Sequence, residues 1–350
     1  MALWCDKYRP SELSTLSYHT EQAATLSSLV KRDDFPHLLV YGPSGAGKKT
    51  RIRCILRDLY GPGVDQIRLE TMSFTTPSGK KLEIRTQSSN YHIELTPSDV
   101  GIYDRVIVQE VVKQMAQTSQ IDVTTQKSFK VVVLMEMDSL SRDAQHALRR
   151  TMEKYSANCR LIVCGESLSR VIDPLRSRCM AIRVGAPTDA QIEDAITNVC
   201  RQEKFTLPPS VTKKLIEFAK GNTRRALLSM EALCPKTDPV KPGDDVPMIE
   251  WERYLEETAL VMVKKQSSEA LLDVRNRLTE IISRCIPPPV IFTLLVRILL
   301  PHCPPAIRGE ILEVACEYEH RLTKGNKAIF HLEAFVASFM HIYSTTQKGR

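Results

Sequence analysis

One stretch restricts the fold more than any other: Gly42-Pro43-Ser44-Gly45-Ala46-Gly47-Lys48-Lys49-Thr50. An apolar run, Pro36-His37-Leu38-Leu39-Val40-Tyr41, leads in and predicts a buried strand. Arg51 to Leu59 leads out with helical spacing. Strand, glycine-rich loop, Gly-Lys and helix, in that order, make the phosphate-binding pattern G-x-x-x-x-G-K-[ST]. Glycines let successive backbone N–H groups turn toward one anion, and the helix start adds partial positive charge. Lys48 is then expected to reach the terminal phosphates of a nucleotide.

One position departs from that pattern. After Lys48 it calls for Ser or Thr, whose hydroxyl ligates Mg²⁺, and this chain has Lys49. Thr50 lies one residue on, roughly 100° around a helix, and cannot take over. A second anchor is Phe129-Lys130-Val131-Val132-Val133-Leu134-Met135-Glu136-Met137-Asp138. It predicts a central buried strand ending in acids that project toward the nucleotide. The usual ending is Asp-Glu, the Asp holding Mg²⁺ through water and the Glu activating the attacking water. Met135 stands at the Asp position, while Glu136 remains. Two supports for one ion are missing together. The expectation is a site that binds nucleotide without ordinary Mg²⁺-dependent turnover, with Glu136 idle.

A length of 350 residues allows two or three domains. With 43% hydrophobic and 25% charged residues, a soluble globular chain with a real core is expected. The net charge of +7 is compatible with a nucleic-acid partner without arguing for one. Ten cysteines are scattered singly, without C-x-x-C or zinc spacing, so reduced thiols and no metal site are expected. The residues from Met1 to Lys7 form no apolar signal region, and Pro289–Leu300 is too short to span a bilayer. No membrane association is expected.

Along the chain, Trp4, Tyr8, Arg9 and Pro10 form either a lip for an adenine base or a strap packed on the core. Glu21–Lys31 predicts a helix with Ala24, Leu26, Leu29 and Val30 inward. Gln66–Phe74, Leu82–Thr86 and Tyr91–Leu95 predict strands in an extended hairpin excursion, with Lys80, Lys81 and Arg85 near its tip. That tip is either a basic finger touching phosphates or a solvated surface. Asp99–Gln117 predicts a helix whose Arg105 and Lys113 are phosphate contacts or a solvated face. Ser141–Tyr155 predicts another, whose Arg149 and Arg150 see DNA or tie the helix to Glu136. Thr188-Asp189-Ala190-Gln191 is a capping box. Helices are expected at Ser210–Lys220 and from Thr223, and Lys236–Pro247 reads as a linker. Beyond it, helices near Glu250–Lys265, Ser268–Cys285, Pro289–Leu300, Ala306–Leu322 and Lys327–Tyr343 carry no catalytic constellation.

Taken together, Trp4-x-x-Lys7-Tyr8-Arg9-Pro10, the phosphate loop, Met135-Glu136-x-Asp138, Ala144-Gln145-x-Ala147-Leu148-Arg149-Arg150-Thr151-Met152-Glu153, Ser177-Arg178-Cys179 and Gly221-Asn222-x-Arg224-Arg225-Ala226-Leu227 resemble small subunits of replication factor C. That family is the eukaryotic sliding-clamp loader of the AAA+ class. The resemblance implies an α/β AAA+ domain (a RecA-like parallel sheet with flanking helices), then a helical lid and an all-α collar. The corresponding segments are 1–184, 185–235 and 236–350. It implies ATP or ADP as cofactor and the nucleus as location. It implies as partners the other subunits of a heteropentamer, a ring-shaped clamp and primer–template DNA.

Carried over residue by residue, Lys48 holds phosphates and Arg224 is the lid arginine that senses nucleotide. Arg178 is a finger acting in trans on a neighbour's ATP, or else a salt-bridged interface arginine. Active members have Thr or Ser at 49, Asp at 135 and Asn near 166, where this chain has Lys49, Met135 and Glu166. Keeping Ser177-Arg178-Cys179 beside those losses resembles the subunit at the end of the arc. The Lys49 ammonium is expected where Mg²⁺ would be, offsetting phosphate charge. Two other functions stay open: an autonomous ATPase remodelling a protein or DNA complex, and a purely structural scaffold subunit.

Overall fold

Among the described residues the apolar runs become seven strands: β1 (Leu38–Tyr41), β2 (Arg68–Thr75), β3 (Lys81–Ser88), β4 (His92–Leu95), β5 (Lys130–Leu134), β6 (Cys159–Gly165) and β7 (Met180–Arg183). They form one sheet in the order β2-β3-β4-β5-β6-β1-β7. The structure is a computed structural model that describes residues 2–32, 34–75, 79, 81–117, 129–234, 245–247, 249–325 and 327–348. By contacts the chain divides into two compact units, Met1–Val246 and Pro247–Arg350.

In the first unit, β4, β5, β6, β1 and β7 run parallel. A parallel sheet needs cover on both faces, which is why its central strands β1, β5 and β6 are apolar nearly throughout rather than alternating. Val131 and Val133 of β5, Leu38 and Val40 of β1, and Ile162 and Cys164 of β6 share one apolar cluster. The helices α1 (Trp4–Lys7), α2 (Thr20–Val30) and α3 (Lys48–Tyr60) precede and follow β1, and α2 and α3 feed that cluster. Val132, Leu134, Leu39, Leu161 and Val163 point the other way, against α4 (Asp104–Gln117) and α5 (Arg142–Tyr155). The hairpin β2–β3 is antiparallel and continues the sheet at one edge instead of leaving it as an excursion.

Two local expectations need correction. The inward alanine of α2 is Ala23, while Ala24 is exposed. The helix expected from Asp99 begins at Asp104, because Gly101 adopts φ 63°, ψ −122° and separates a short 3-10 segment, Pro97–Tyr103, from α4. Asp104 is buried and its carboxylate accepts from the Ser141 N–H (2.7 Å) and hydroxyl (2.9 Å), joining the start of α4 to the cap of α5.

After α6 (Asp173–Arg176) and β7 come three helices: α7 (Asp189–Glu203), α8 (Pro209–Ala219) and α9 (Thr223–Leu233). Thr188 and Gln191 complete the expected capping box on α7. Ile192, Ile196, Val211, Leu215, Ala226 and Met230 make a separate small core among the three. Of the expected linker, 236–244 lies outside the described residues.

The second unit is helical: α10 (Glu250–Lys264), α11 (Ser268–Ser283), α12 (Pro288–His302), α13 (Arg308–Lys324) and α14 (Ala328–Lys348). Each matches a predicted helix to within two residues at either end, except that α14 runs five residues past the expected Tyr343. Phe335 and Phe339 of α14 are buried at the centre, with the Phe292 ring 4.8 Å from that of Phe335. No helix among the described residues is long and apolar enough to cross a membrane.

Two histidines of the sheet carry a pH dependence. His37 Nδ1 accepts the Leu161 N–H at 3.0 Å, so that nitrogen carries no proton. Burial and then the Arg160 charge push its pKa down to about 4. His92 is buried against Ser89 and is also pushed down to about 4, chiefly by burial. The unfolded chain takes up these protons near pH 6.5, the native one not until about pH 4. Their contribution is therefore present above about pH 6.5 and is lost as pH falls toward 4. The expected slope in that window is about 1.4 kcal/mol per pH unit for each ring. His37→Asn, whose amide oxygen can replace the acceptor, should remove one ring's share in denaturant unfolding between pH 7 and 4.5. An unchanged slope would show that His37 titrates alike in both states.

Candidate nucleotide site

The phosphate loop closes β1 and opens α3 as the sequence requires. Gly45 and Gly47 sit at φ 73° and 85°, backbone conformations that cost other residues energy. A Cβ at Gly45 would lie 1.8 Å from the Asn222 side-chain oxygen, and one at Gly47 2.5 Å from the Tyr18 hydroxyl. The loop is thus packed on one side by the start of α9 and on the other by the segment before α2. Lys48 Nζ donates to the carbonyls of Gly42 (2.6 Å) and Pro43 (2.9 Å). Among the described residues it has no acidic partner.

A cavity of about 470 Å³ opens beside the loop. Tyr8, Arg9 and Pro10 line it from the N-terminal strap, Gly45, Gly47, Thr50 and Arg51 from the loop and α3, and Thr223 and Arg224 from α9. Of the predicted cofactor residues, Trp4, Gly42, Pro43, Ser44, Ala46, Lys48 and Lys49 do not line it. Tyr8, Arg9 and Pro10 face the cavity, whereas Trp4 and Tyr8 also pack on the core of α7–α9.

Polar bonds fix the strap there. The Trp4 N–H donates to Glu231 Oε2 at 3.0 Å, and Arg9 pairs with Asp6 at 2.5 Å. Lys7 Nζ (2.7 Å) and the Tyr8 hydroxyl (2.5 Å) both donate to Glu203 Oε1. Those bonds push the Lys7 ammonium up to about 12 and hold the Glu203 carboxyl below its ordinary range. The strap is tied to the ends of α7 and α9, so whatever enters the cavity touches a segment that joins the sheet to these helices.

The metal side of the site differs from the nucleotide side. The cavity, the glycine cradle and the uncompensated cations fit a nucleotide. Magnesium finds neither of its customary protein supports. The Lys49 ammonium, expected to offset phosphate charge, is engaged in an ion pair with Glu94. β4 and β5 are parallel with Glu94 opposite Val133, which sets this carboxylate beside the strand end where Met135 stands. Met135 packs against the apolar cluster under β1. Glu136 is exposed at φ 53°, and its carboxylate accepts from the Ser98 hydroxyl at 3.2 Å. No ion pair joins it to Arg149 or Arg150 among the described residues. Asp138 Oδ1 accepts the Glu166 N–H at 3.2 Å. Among the described residues no group of three or more His, Cys, Asp or Glu is arranged to hold a metal ion.

Arg178 lies apart from this cavity, just after α6. Its Nε (2.8 Å) and Nη2 (2.7 Å) both reach Glu153 Oε1 in the last turn of α5, and Nη1 donates to the Pro174 carbonyl at 2.9 Å. The side chain is 39% exposed, so the guanidinium is held in one orientation with a face left open. Gln145, buried on α5, fixes the same segment: it donates to the carbonyls of Leu140 and Arg170 and accepts the Ile172 N–H.

The predicted DNA contacts are distributed over two elements. Lys81 and Arg85 share the exposed face of β3 with Glu83 between them, so that face is mixed in charge. Arg105 is exposed in the first turn of α4. Lys113 forms an exposed pair with Glu110 at 3.6 Å. Lys80 lies outside the described residues. Sequence reasoning missed Arg51, Glu94, Glu153 and Glu203. Only Glu153 stood inside a quoted motif; the other three are marked by their partners in space, which no spacing rule reveals.

Comparison with known proteins agrees with this architecture. Residues 1–171 match the family model "Rad17 P-loop domain", 194–234 "RCF1/5-like, AAA+ ATPase lid domain", and 251–347 "Replication factor C subunit 3, C-terminal domain". The solved Thermotoga maritima RuvB Holliday junction branch migration motor shares the fold, with a TM-score of 0.51 and 14% identity over 77% of this chain and 85% of that one. Replication factor C subunit 3 of Mus musculus is 53% identical over 343 residues, 98% of this chain and 96% of its own length. Replication factor C subunit 5 of Neurospora crassa is 46% identical over 98% of this chain and 97% of its own length. The α/β domain with its phosphate loop, the lid helices and the C-terminal helical unit are those of an AAA+ protein, and the chain belongs to the replication factor C subunit 3/5 family.

Proposed function

We propose that the chain is the end-of-arc subunit of a heteropentameric sliding-clamp loader acting in the nucleus in DNA replication and repair. It binds ATP or ADP at its degenerate loop, supplies Arg178 in trans to a neighbouring subunit's ATP, and touches primer–template DNA while the assembly loads the ring-shaped clamp. The division of labour follows 1–184 for nucleotide, 185–235 as lid and 236–350 as collar. The observation that carries this reading is the combination of a nucleotide-sized cavity lacking magnesium supports with an oriented, half-exposed Arg178 elsewhere on the same unit. An autonomous motor needs both functions in one site. A pure scaffold does not need the cavity.

The chain's own residues divide the work. Loop N–H groups and Lys48 bind phosphates, Tyr8 and Pro10 bound the base end of the cavity, and Arg224 brings the lid helices to the nucleotide. Bound nucleotide supplies the negative charge that draws these groups together. A reconstituted assembly should load the clamp on primed DNA and lose that capacity when this chain is omitted. Lys81→Glu with Arg85→Glu should weaken primer–template binding and flatten its salt dependence, lowering the slope by about one for each phosphate no longer neutralised. Loading that persists without this chain would overturn the reading. An unchanged salt slope would return the hairpin to solvated surface.

A further inference from the structure

Among the described residues beside the loop, Arg51 is a buried charge without an acidic partner. It follows Lys48-Lys49-Thr50 in the first turn of α3 and is 1% exposed, the largest of the fully buried side chains among the described residues. Nη2 donates to the Tyr18 carbonyl at 2.9 Å, and Nη1 to the Ala46 carbonyl of the loop at 3.4 Å. The guanidinium carbon lies 4.8 Å from the centre of the Tyr18 ring. Nε is buried without a hydrogen-bond partner. Among the described residues no carboxylate lies within ion-pair distance.

A desolvated charge without a counter-ion is costly. Lysine or histidine could escape by losing a proton, but arginine cannot. Two carbonyls and the Tyr18 ring offset part of that charge, and no anion among the described residues supplies the rest. Arg51 lines the same cavity as Gly47, Thr50, Tyr18 and Arg224, beside the loop whose glycines gather N–H groups on an anion. The other cation added next to Lys48, Lys49, is already matched by Glu94.

We infer that Arg51 is the fixed positive charge that holds the phosphates of a nucleoside diphosphate or triphosphate here without magnesium. The inference rests on the nucleotide-binding reading of the loop and deepens it. The divalent ion that usually offsets phosphate charge is replaced by a buried guanidinium built into α3. Its rigid donors cost no ion uptake, so retention of nucleotide is independent of free magnesium.

The test is equilibrium binding of ADP and of adenosine to the full chain, in EDTA and in magnesium, for wild type, Arg51→Met and Arg51→Lys. Wild type is expected to bind ADP equally well in both buffers. Arg51→Met should weaken ADP by about tenfold to a hundredfold, the range of a missing charge-assisted hydrogen bond, and leave adenosine within about threefold. Arg51→Lys, which keeps the charge, should recover most of the loss. Equal weakening of ADP and adenosine by Arg51→Met makes Arg51 merely structural and overturns the inference. Unchanged ADP affinity in that variant overturns it while leaving the nucleotide site intact. If the variants do not fold, wild type alone still decides, since ADP binding that requires magnesium contradicts it. Wild type that binds neither ligand would overturn the nucleotide reading itself.

Discussion

Replacing Arg178 by Ala in this chain alone should remove one neighbouring site's whole share of ATP turnover from the reconstituted assembly. A guanidinium supplied in trans neutralises charge on the transferring phosphoryl group, and its loss lowers turnover at that site by about a thousandfold or more. Arg178→Lys should rescue little, because an ammonium does not reproduce the planar fork. The structure adds a second handle. Glu153 holds both Nε and Nη2 of Arg178, so Glu153→Gln should loosen the guanidinium without removing it. It should lower turnover partially and leave ADP binding by this chain alone as in wild type, since neither residue lines its cavity. DNA- and clamp-stimulated hydrolysis is the measurement. Lys48→Ala reports on this chain's own site: it should cost the chain its nucleotide and take away less turnover than Arg178→Ala. If Lys48→Ala is the more damaging change, this chain's own site hydrolyses or gates, and the trans assignment to Arg178 falls.

Much of this was legible because it is local. A strand, six residues of loop and a helix are contiguous, so Gly42 to Thr50 announce themselves without any knowledge of the rest of the chain. The capping box at Thr188 and the five C-terminal helices are local in the same sense, being set by caps and by a 3.6-residue period. Pro97-Ser98-Asp99 offers a good cap but does not start α4, because the backbone turns at Gly101, the one residue there that accepts positive φ at little cost. The hairpin's continuity with the sheet depends on β3 pairing with β4, a register that strand propensity does not carry. The partner of Lys49 was out of reach for a similar reason. Glu94 lies 45 residues away and is brought in by the parallel pairing of β4 with β5. Arg51 only opens a run with helical spacing in the sequence, and packing alone shows it to be buried beside Tyr18.

The Lys49–Glu94 pair makes the second large expectation different from simple ligand replacement. Lys49→Thr restores the hydroxyl that a phosphate loop presents to magnesium. It also leaves Glu94, whose side chain is only 13% exposed, without its cation. That should destabilise the chain by about 1–2 kcal/mol, less than a fully buried pair because Lys49 is about a third exposed and screened. Met135→Asp then adds the second carboxylate support beside Glu94 and Glu136, deepening the destabilisation while no cation is present. Magnesium with nucleotide should reverse it, since the ion now faces a hydroxyl and a carboxylate and takes over the charge that Lys49 balanced. The double variant is therefore expected to melt below wild type in EDTA, to recover on addition of magnesium and ATP, and to hydrolyse ATP in the assembly at a site expected to be silent in wild type. Thermal melts in the two buffers separate the structural half of the argument from the chemical half. Recovery in magnesium without hydrolysis would place the remaining defect beyond the metal supports, at Glu166 or at the presentation of Glu136. No recovery in magnesium would mean that Lys49 does not stand where the ion belongs, and that its pairing with Glu94 serves the sheet rather than the nucleotide.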